Sequence, residues 1–550
     1  MENLFPDFLM PIPSMGIVKF NPDFSNETLS QGYQLKKGVS LRDYSGKKEK
    51  TCQYRTVHDI TLWPIDIVDA QYYTNDMNQL GLDQPELCKS CLCLEFDATS
   101  DAKFNDLNMD CIEFYLRGAD SKLVMSIYKM LISNCTQIIV RPRDKRQRHK
   151  RIIINNLNEN IKSRGFDIED SLFPFNARTF EGYRLFRKYF VLPQSFMFIQ
   201  IKGILEALKT ISSDQVDIIL TFDCEDKTLK GRVKKNNFNL FCSPIVNLFE
   251  QTLARIELNN SQTEFYLTGG KVNSCDSEII KITQVKGFTA NDSKGKVFNT
   301  LYSASNFFKD ESSNKAYYSL NRVPRTLTEG EKENGPRSHY IGSEAYLSIV
   351  DQENVPYGRD LEQLEIKALC SNRDLPILKP LRKKDESDFK YKTSLPVKSI
   401  KCIYGPTLPY CDHLTLDPKE TIKNVSLNFL SLYDPEGFRT AKIIKKILNI
   451  YAVSNIQKKY INGIKSVKVA EGKERFDNSE GMFTFVSGLA VELLFDEQRA
   501  GSDYFLLGII MDRFFQYAAP VNVFTKTTIK TLKHGEIKQW PVRSGTLQMI

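Results

Sequence analysis

At 550 residues the chain is too long for one hydrophobic core, and its 41% hydrophobic and 26% charged residues suit a folded, water-soluble protein of about three or four domains. A net charge of +8 is modest for this length and does not require a nucleic-acid partner. Residues 1–10 carry two acids and no basic cluster, unlike a secretory leader, and no apolar stretch reaches the ~18 residues of a membrane span.

The 12 cysteines sit mostly inside apolar runs, as Cys111 and Cys242 do, so a cytosolic protein with reduced thiols is expected. Phenylalanine and tyrosine, 35 and 24 residues against 2 tryptophans, suit strands and contact surfaces and point to β-rich domains. The first unit, 1–160, reads as strands with one helix. Residues 17–20 and 61–65 are short apolar runs bounded by turn residues. A helix capped at Asp120 and Ser121 places Leu123, Ile127, Tyr128 and Leu131 at helical spacing, between strands over 109–116 and 137–141. The stretch 141–151 holds Arg141, Arg143, Lys145, Arg146, Arg148, Lys150 and Arg151. An isoleucine run at 152–154 follows, which makes the stretch a basic hairpin tip.

In the second unit, 161–290, a helix over 180–190 sets Tyr183, Phe186 and Phe190 on one face and Glu181, Arg184 and Lys188 opposite. Pro193 stops it, and 196–201 is a strand. Pro244 suits the first turn of a helix over 243–249. The third unit, 291–415, is a loop-rich β domain: polar segments between 288 and 340 surround a motif at 317–325, and 383–391 reads as a linker.

The fourth unit, 416–550, opens on a helix after Asp434-Pro435 that buries Ile443, Ile444, Ile447, Leu448 and Tyr451, with Lys442, Lys445 and Lys446 outside. Strands follow over 464–469 and 483–495, the second bulged at Gly488. A helix over 504–517 comes next, then strands over 521–532 and 536–540 joined at His534-Gly535. The whole argues for an α+β fold, multidomain and β-rich, with mixed sheets and short packed helices.

Residues able to do chemistry are sparse. Cys88, Cys91 and Cys93 lack the second ligand pair of a tetrahedral zinc site, and Cys411 with His413 lies far downstream. They are expected to be reduced core residues, with no metal and no cofactor. Among 5 histidines, His58 adjoins Asp59 but has no Ser or Cys in an elbow-like turn, and His534 falls in a turn. Gly269-Gly270 before Lys271 is a turn signal and not a phosphate loop. No catalytic residue, and no enzyme, is expected.

The basic stretch lacks the interleaved aromatics of single-strand binders and reads as a solubilised hairpin edge. The alternative function is a nucleic-acid- or acidic-partner-binding module using 141–151. The helix over 504–517 is apolar almost all round, which asks for burial in the core, or partly beneath a partner. After an apolar run, Cys370-Ser371-Asn372-Arg373-Asp374-Leu375-Pro376 combines turn residues with an Arg and an Asp that can pin a strand end by an internal ion pair.

That heptapeptide does not stand alone. It follows a segment at 342–351 and precedes Leu427-Asn428, the stretch 512–515, Asn522 with Phe524 and Thr525, and a closing segment at 540–545. Upstream stand a proline-rich segment at 4–15, then 52–56 with 61–65, 114–118, 182–190 and 243–249. In this order the motifs resemble the TssF family (also VasA or ImpG), a baseplate subunit of the type VI secretion system, through nearly the whole chain.

The resemblance implies a structural wedge component in which two TssF copies join one TssG. TssK trimers would tie the wedge to the membrane complex, and TssE and the VgrG hub would lie nearby, supporting sheath and tube assembly. It places the chain in the cytoplasm at an inner-membrane-docked baseplate, without small-molecule substrate or membrane insertion. The family is also similar to wedge proteins of contractile-tailed phages. Candidate interaction or structural residues are Pro11, Pro13, Met15, Arg373, Asp374, Phe514, Phe515, Tyr517, Asn522, Phe524 and Trp540. Phe514, Phe515 and Tyr517 are expected to anchor a TssG contact from the C-terminal domain. The family usually carries an N-terminal helical segment before the proline-rich motif. This chain begins almost on top of that motif, so it reads as a shortened member or one whose start is lost.

Overall fold

The computed structural model describes residues 8–43, 51–74, 76–82, 88–99, 101–155, 157–174, 180–258, 262–269, 276–289, 292–301, 316–350, 361–379, 381, 387–391, 395–411, 433–477 and 483–547. Strands dominate, arranged in mixed sheets with short helices packed on them, as the composition leads one to expect. Leu427-Asn428 lies outside the described residues.

Far-apart stretches of chain meet in one six-stranded sheet. Its order is Phe389–Tyr391, Ser40–Asp43, Gln53–Thr56, Cys242–Val246, Met15–Pro22 and Val397–Tyr404. The segment around Pro244 is therefore a strand, not a helix. Cys242–Val246 is buried throughout and pairs antiparallel with Met15–Pro22, while the Pro244 carbonyl accepts from the Val57 N–H at 3.0 Å. Burial between two neighbours outweighs the helix-starting preference of a single proline.

A five-stranded sheet orders Ile152–Ile154, Cys135–Pro142, Gln215–Phe222, Ser90–Ala98 and Ile65–Tyr73. The basic stretch is a hairpin tip, as expected: a 3-10 turn Lys145–Lys150, capped by Asp144, joins the antiparallel strands Cys135–Pro142 and Ile152–Ile154. A four-stranded sheet carries Ile161–Arg164, Phe198–Lys202, Cys111–Leu116 and Phe238–Leu240.

An eight-stranded sheet with its own apolar cluster occupies much of 249–371. Part of the polar stretch expected as loop around 317–325 is strand, since Asp292–Thr300 joins Glu278–Thr289 and Tyr317–Pro324 in this sheet. Their solvent side carries the polar residues that read as loop. In Ser343–Val350 buried and half-buried positions alternate along the whole strand, the period-2 signature of one covered face. Part of the expected linker is also a strand: Phe389–Tyr391 is held by the Phe389 ring, 5.4 Å from that of Tyr54.

In the C-terminal unit Asp434 caps through its carboxylate, which accepts from the Thr440 N–H at 3.0 Å, and the helix runs Phe438–Tyr451 with Ile443 only half buried. Ile464–Asp477 and Phe483–Phe495 pair antiparallel. The second strand passes through the helix Tyr504–Ala518 into a parallel partner, Phe524–Thr531, and Gly535–Gln539 follows. No bulge occurs at Gly488, since the register runs unbroken through Gly472↔Gly488 and Gly488↔Phe524. The glycine is there because the Phe524 ring lies where a Cβ would stand. Gly508 does the same for the helix, letting it approach Ile529 closely.

Candidate functional site

Asn372, Arg373 and Asp374 follow the strand Gln363–Ser371 and lie at a junction between sheets. The Asn372 side-chain oxygen Oδ1 accepts from the Gln53 N–H and from the Asn247 side chain, both at 2.9 Å, and the Asn247 side chain accepts from the Asn372 N–H at 2.7 Å. These bonds fasten the eight-stranded sheet to the six-stranded one. Arg373 sits in the left-handed region at φ 53 and donates to the Ile341 carbonyl. The expected pairing of Arg373 with Asp374 is not the one formed. Arg337 grips Asp374 at 2.6 Å, Ser338 adds a 2.5 Å hydrogen bond, and Arg337 also reaches Asp276. With φ positive, adjacent side chains diverge and the acid finds a partner from another segment. Beside it, Glu278 accepts from the Ser343 N–H and the Tyr340 hydroxyl, each at 2.6 Å.

From Phe8 to Met15 the proline-rich segment is interior, with Leu9 half-buried. Pro11, Pro13 and Met15 are buried, Ile12 exchanges backbone bonds with Tyr410 at 2.8 and 2.9 Å, and the Met15 N–H donates to Thr407 Oγ1 at 3.0 Å. Arg187 ties in the Met10 carbonyl from the helix Glu181–Val191. These residues brace one end of the sheet.

Phe514 and Phe515 are each 1% exposed. Phe514 stacks on Phe186 at 4.7 Å and meets Phe180 edge-on at 5.6 Å, so the second apolar side of its helix is covered by Glu181–Val191 of the same chain. A side chain without surface cannot anchor a partner, and the expected interface role of these two rings gives way to a core role. Phe524 and Trp540 are buried too, Trp540 against Phe505 at 6.3 Å. Arg543 reaches the fully buried Asp512 at 2.8 Å, and burial raises that carboxyl above its ordinary range. Of the C-terminal candidates, Tyr517 is half-buried and Asn522 exposed.

Arg184 and Lys188, expected on a solvent face, are buried. Lys188 Nζ donates to the Gly165 and Asp170 carbonyls at 2.7 and 2.8 Å, and burial lowers it from 10.5 to about 7. His58 is fully buried, 3.7 Å from Asp170, and burial depresses it, so it is a neutral core histidine. Between about pH 7 and 10.5 the unfolded lysine keeps its proton while the folded one does not. The unfolded state then binds more protons, and stability contributed by this site rises with pH. Urea midpoints at pH 7 and pH 9 are expected to rise in the native chain and to rise less in Lys188→Met. Equal slopes would show that Lys188 stays charged when folded.

Cys93, Glu95 and Asp217 bring a thiol and two carboxylates within 4.8 Å of one another. Arg143 lies 3.4 Å from Glu95 and 3.2 Å from Asp217, and Arg141 lies 3.4 Å from Asp217. Two guanidiniums thus supply the positive charge an ion would bring. Burial pushes the Cys93 thiol well up, which disfavours the thiolate a metal requires. Arg141 is 1% exposed and also bonds the Leu80 carbonyl at 2.5 Å. Part of the basic stretch therefore serves the fold.

Sequence reasoning missed one grouping. Lys162, Arg513, Lys538 and Arg543 line a common cleft with Trp540. Their spacing along the chain gives no period that would unite them.

The family model described as "Type VI secretion system, TssF" matches residues 1–547. The "Type VI secretion system component TssF1" of Pseudomonas aeruginosa is 32% identical over 556 residues, covering 99% of this chain and 87% of that protein. A solved structure of a type VI secretion system TssK-TssF-TssG baseplate subcomplex contains a chain of similar fold. The likeness has a TM-score of 0.74 at 18% identity and spans 100% of this chain and 94% of that one. A second structure, of the baseplate complex from the type VI secretion system, matches with a TM-score of 0.58 at 16% identity, over 98% and 86%. With the motifs in place, the match continuous and a third of the residues shared with a curated relative, the chain belongs to the TssF family of the type VI secretion system.

Proposed function

We propose that this chain is a structural subunit of a baseplate wedge, built by two copies of it and one TssG, with TssK, TssE and the VgrG hub as further neighbours and no reaction of its own. The observation that carries this reading is the family match over 1–547, joined to a fold that follows the TssK-TssF-TssG subcomplex chain from end to end. The chemistry supports it: His58 is sealed in the core, and the Cys93–Glu95–Asp217 group is neutralised by arginines. The wedge would stand in the cytoplasm against the membrane complex. Among the described residues no helix is long and apolar enough to cross a membrane.

Co-expression with the TssG encoded by the same secretion system tests the reading. Copurification and native mass measurement are expected to give two copies of this chain per TssG. A chain that folds but leaves TssG behind would overturn the wedge assignment, and a one-to-one mass would overturn the stoichiometry.

A further inference from the structure

A cleft of about 500 Å³ opens between Ile161–Arg164, the helical turn Met130–Asn134, the helix Tyr504–Ala518 and the segment 538–543. Its wall carries four cations, Lys162, Arg513, Lys538 and Arg543, against one lining acid, Asp167. Arg513 donates to Gln516 at 3.2 Å, Lys538 to the Ser133 carbonyl at 3.3 Å, and Arg543 to Asp512 at 2.8 Å. A guanidinium has five N–H donors, so these contacts leave donors for a further acceptor. The Ser133 hydroxyl, also in the lining, is buried without a partner. Burial and then the Arg543 charge hold Arg513 below its ordinary range, against the opposing pull of Asp512, Tyr517 and Asp167.

We propose that this cleft binds a carboxylate-bearing segment of a partner protein, an acidic loop or tail whose Asp and Glu side chains are received by Arg513, Arg543, Lys538 and Lys162. Forked guanidiniums suit carboxylates through paired hydrogen bonds. Nucleic acid fits less well. The cleft is local and not a track along a backbone, and its two wall aromatics, Phe166 and Trp540, are 3% and 5% exposed, Trp540 with its ring against Phe505, leaving no open face for a base. The inference stands apart from the wedge reading, because binding here is measured on the isolated chain and TssG capture is not.

Trp540 gives the assay, since only 2 tryptophans are present and the other, Trp63, is at a different site. The full chain is titrated at low salt with end-blocked hexaglutamate, hexaglutamine and hexathymidylate while tryptophan emission is followed. Hexaglutamate is expected to bind saturably and to weaken with salt, and hexaglutamine not to bind. Arg513→Gln is expected to weaken hexaglutamate about tenfold. Lys162→Gln, at an exposed strand position, is the second variant and carries the test where thermal melting shows Arg513→Gln to be unfolded. Lys122→Gln, exposed on the helix Ser121–Lys129, is expected to bind as the native chain does. The proposal is overturned by the absence of saturable hexaglutamate binding, by affinity unchanged in both cleft variants, or by hexathymidylate binding more tightly than hexaglutamate.

Discussion

Phe514→Ala is expected to lower stability by about 3–5 kcal/mol, the usual cost of emptying a buried aromatic site. The ring is 1% exposed and stacks on Phe186 at 4.7 Å, so it joins the Tyr504–Ala518 helix to Glu181–Val191. Its loss opens a cavity between two helices at once, and the Tyr504–Ala518 helix is held from closing it by its packing on Phe524–Thr531. Asn522→Ala, at an exposed position four residues past the buried helix end Ala518, is expected to stay within about 0.5 kcal/mol of the native chain. Urea unfolding followed by circular dichroism compares the two. A folded Phe514→Ala chain with an unchanged midpoint that fails to capture TssG would return the ring to an interface, against the packing seen here.

Asp374→Ala is the second large effect, about 2–3 kcal/mol, because it removes the Arg337 and Ser338 bonds at the junction between two sheets, while Asp276 still holds the Arg337 guanidinium. The carboxylate side chain is 4% exposed and takes Arg337 at 2.6 Å and Ser338 at 2.5 Å. Burial alone would raise its pKa, but the bonds from Arg337 and Ser338 win and hold it below the usual carboxylate range. A carboxyl depressed in the fold stabilises above its unfolded pKa and loses that contribution as pH falls through the folded value. The native chain is therefore expected to lose stability on acidification, and Asp374→Ala to show less of that loss. Denaturation midpoints from pH 7 down to pH 3 measure both. Equal acid sensitivity in the two chains would remove Asp374 from the account.

Some of this architecture is written in local sequence. The Asp120 cap, the basic hairpin tip and the 504–517 apolar run are short-range patterns, and the structure places Ser121–Lys129, Lys145–Lys150 and Tyr504–Ala518 on them. The ordered motifs were enough to identify the family, since a motif string does not depend on knowing what each residue touches. Local pattern misled where burial came from elsewhere. Pro244 reads as a helix start until strands on both sides enclose it, and 288–300 reads as loop because its solvent face is polar.

Partner choice was the part that only the tertiary structure decided. The neighbours Arg373 and Asp374 look like a pair in one dimension, yet a left-handed backbone at Arg373 and the arrival of Arg337 from another segment settle the bonding. Apolarity told that Phe514 and Phe515 are covered but not by what, because hydrophobic burial carries no direction and the same rings suit a core or a partner. The cationic cleft is the extreme case. Lys162 stands hundreds of positions before Arg513, Lys538 and Arg543, and no periodicity links them. Sequence by itself determined the family, the strand-rich class and the residues that must leave water. Which of them meet was decided by the fold, because contacts between distant segments depend on how the sheets pack and not on spacing along the chain.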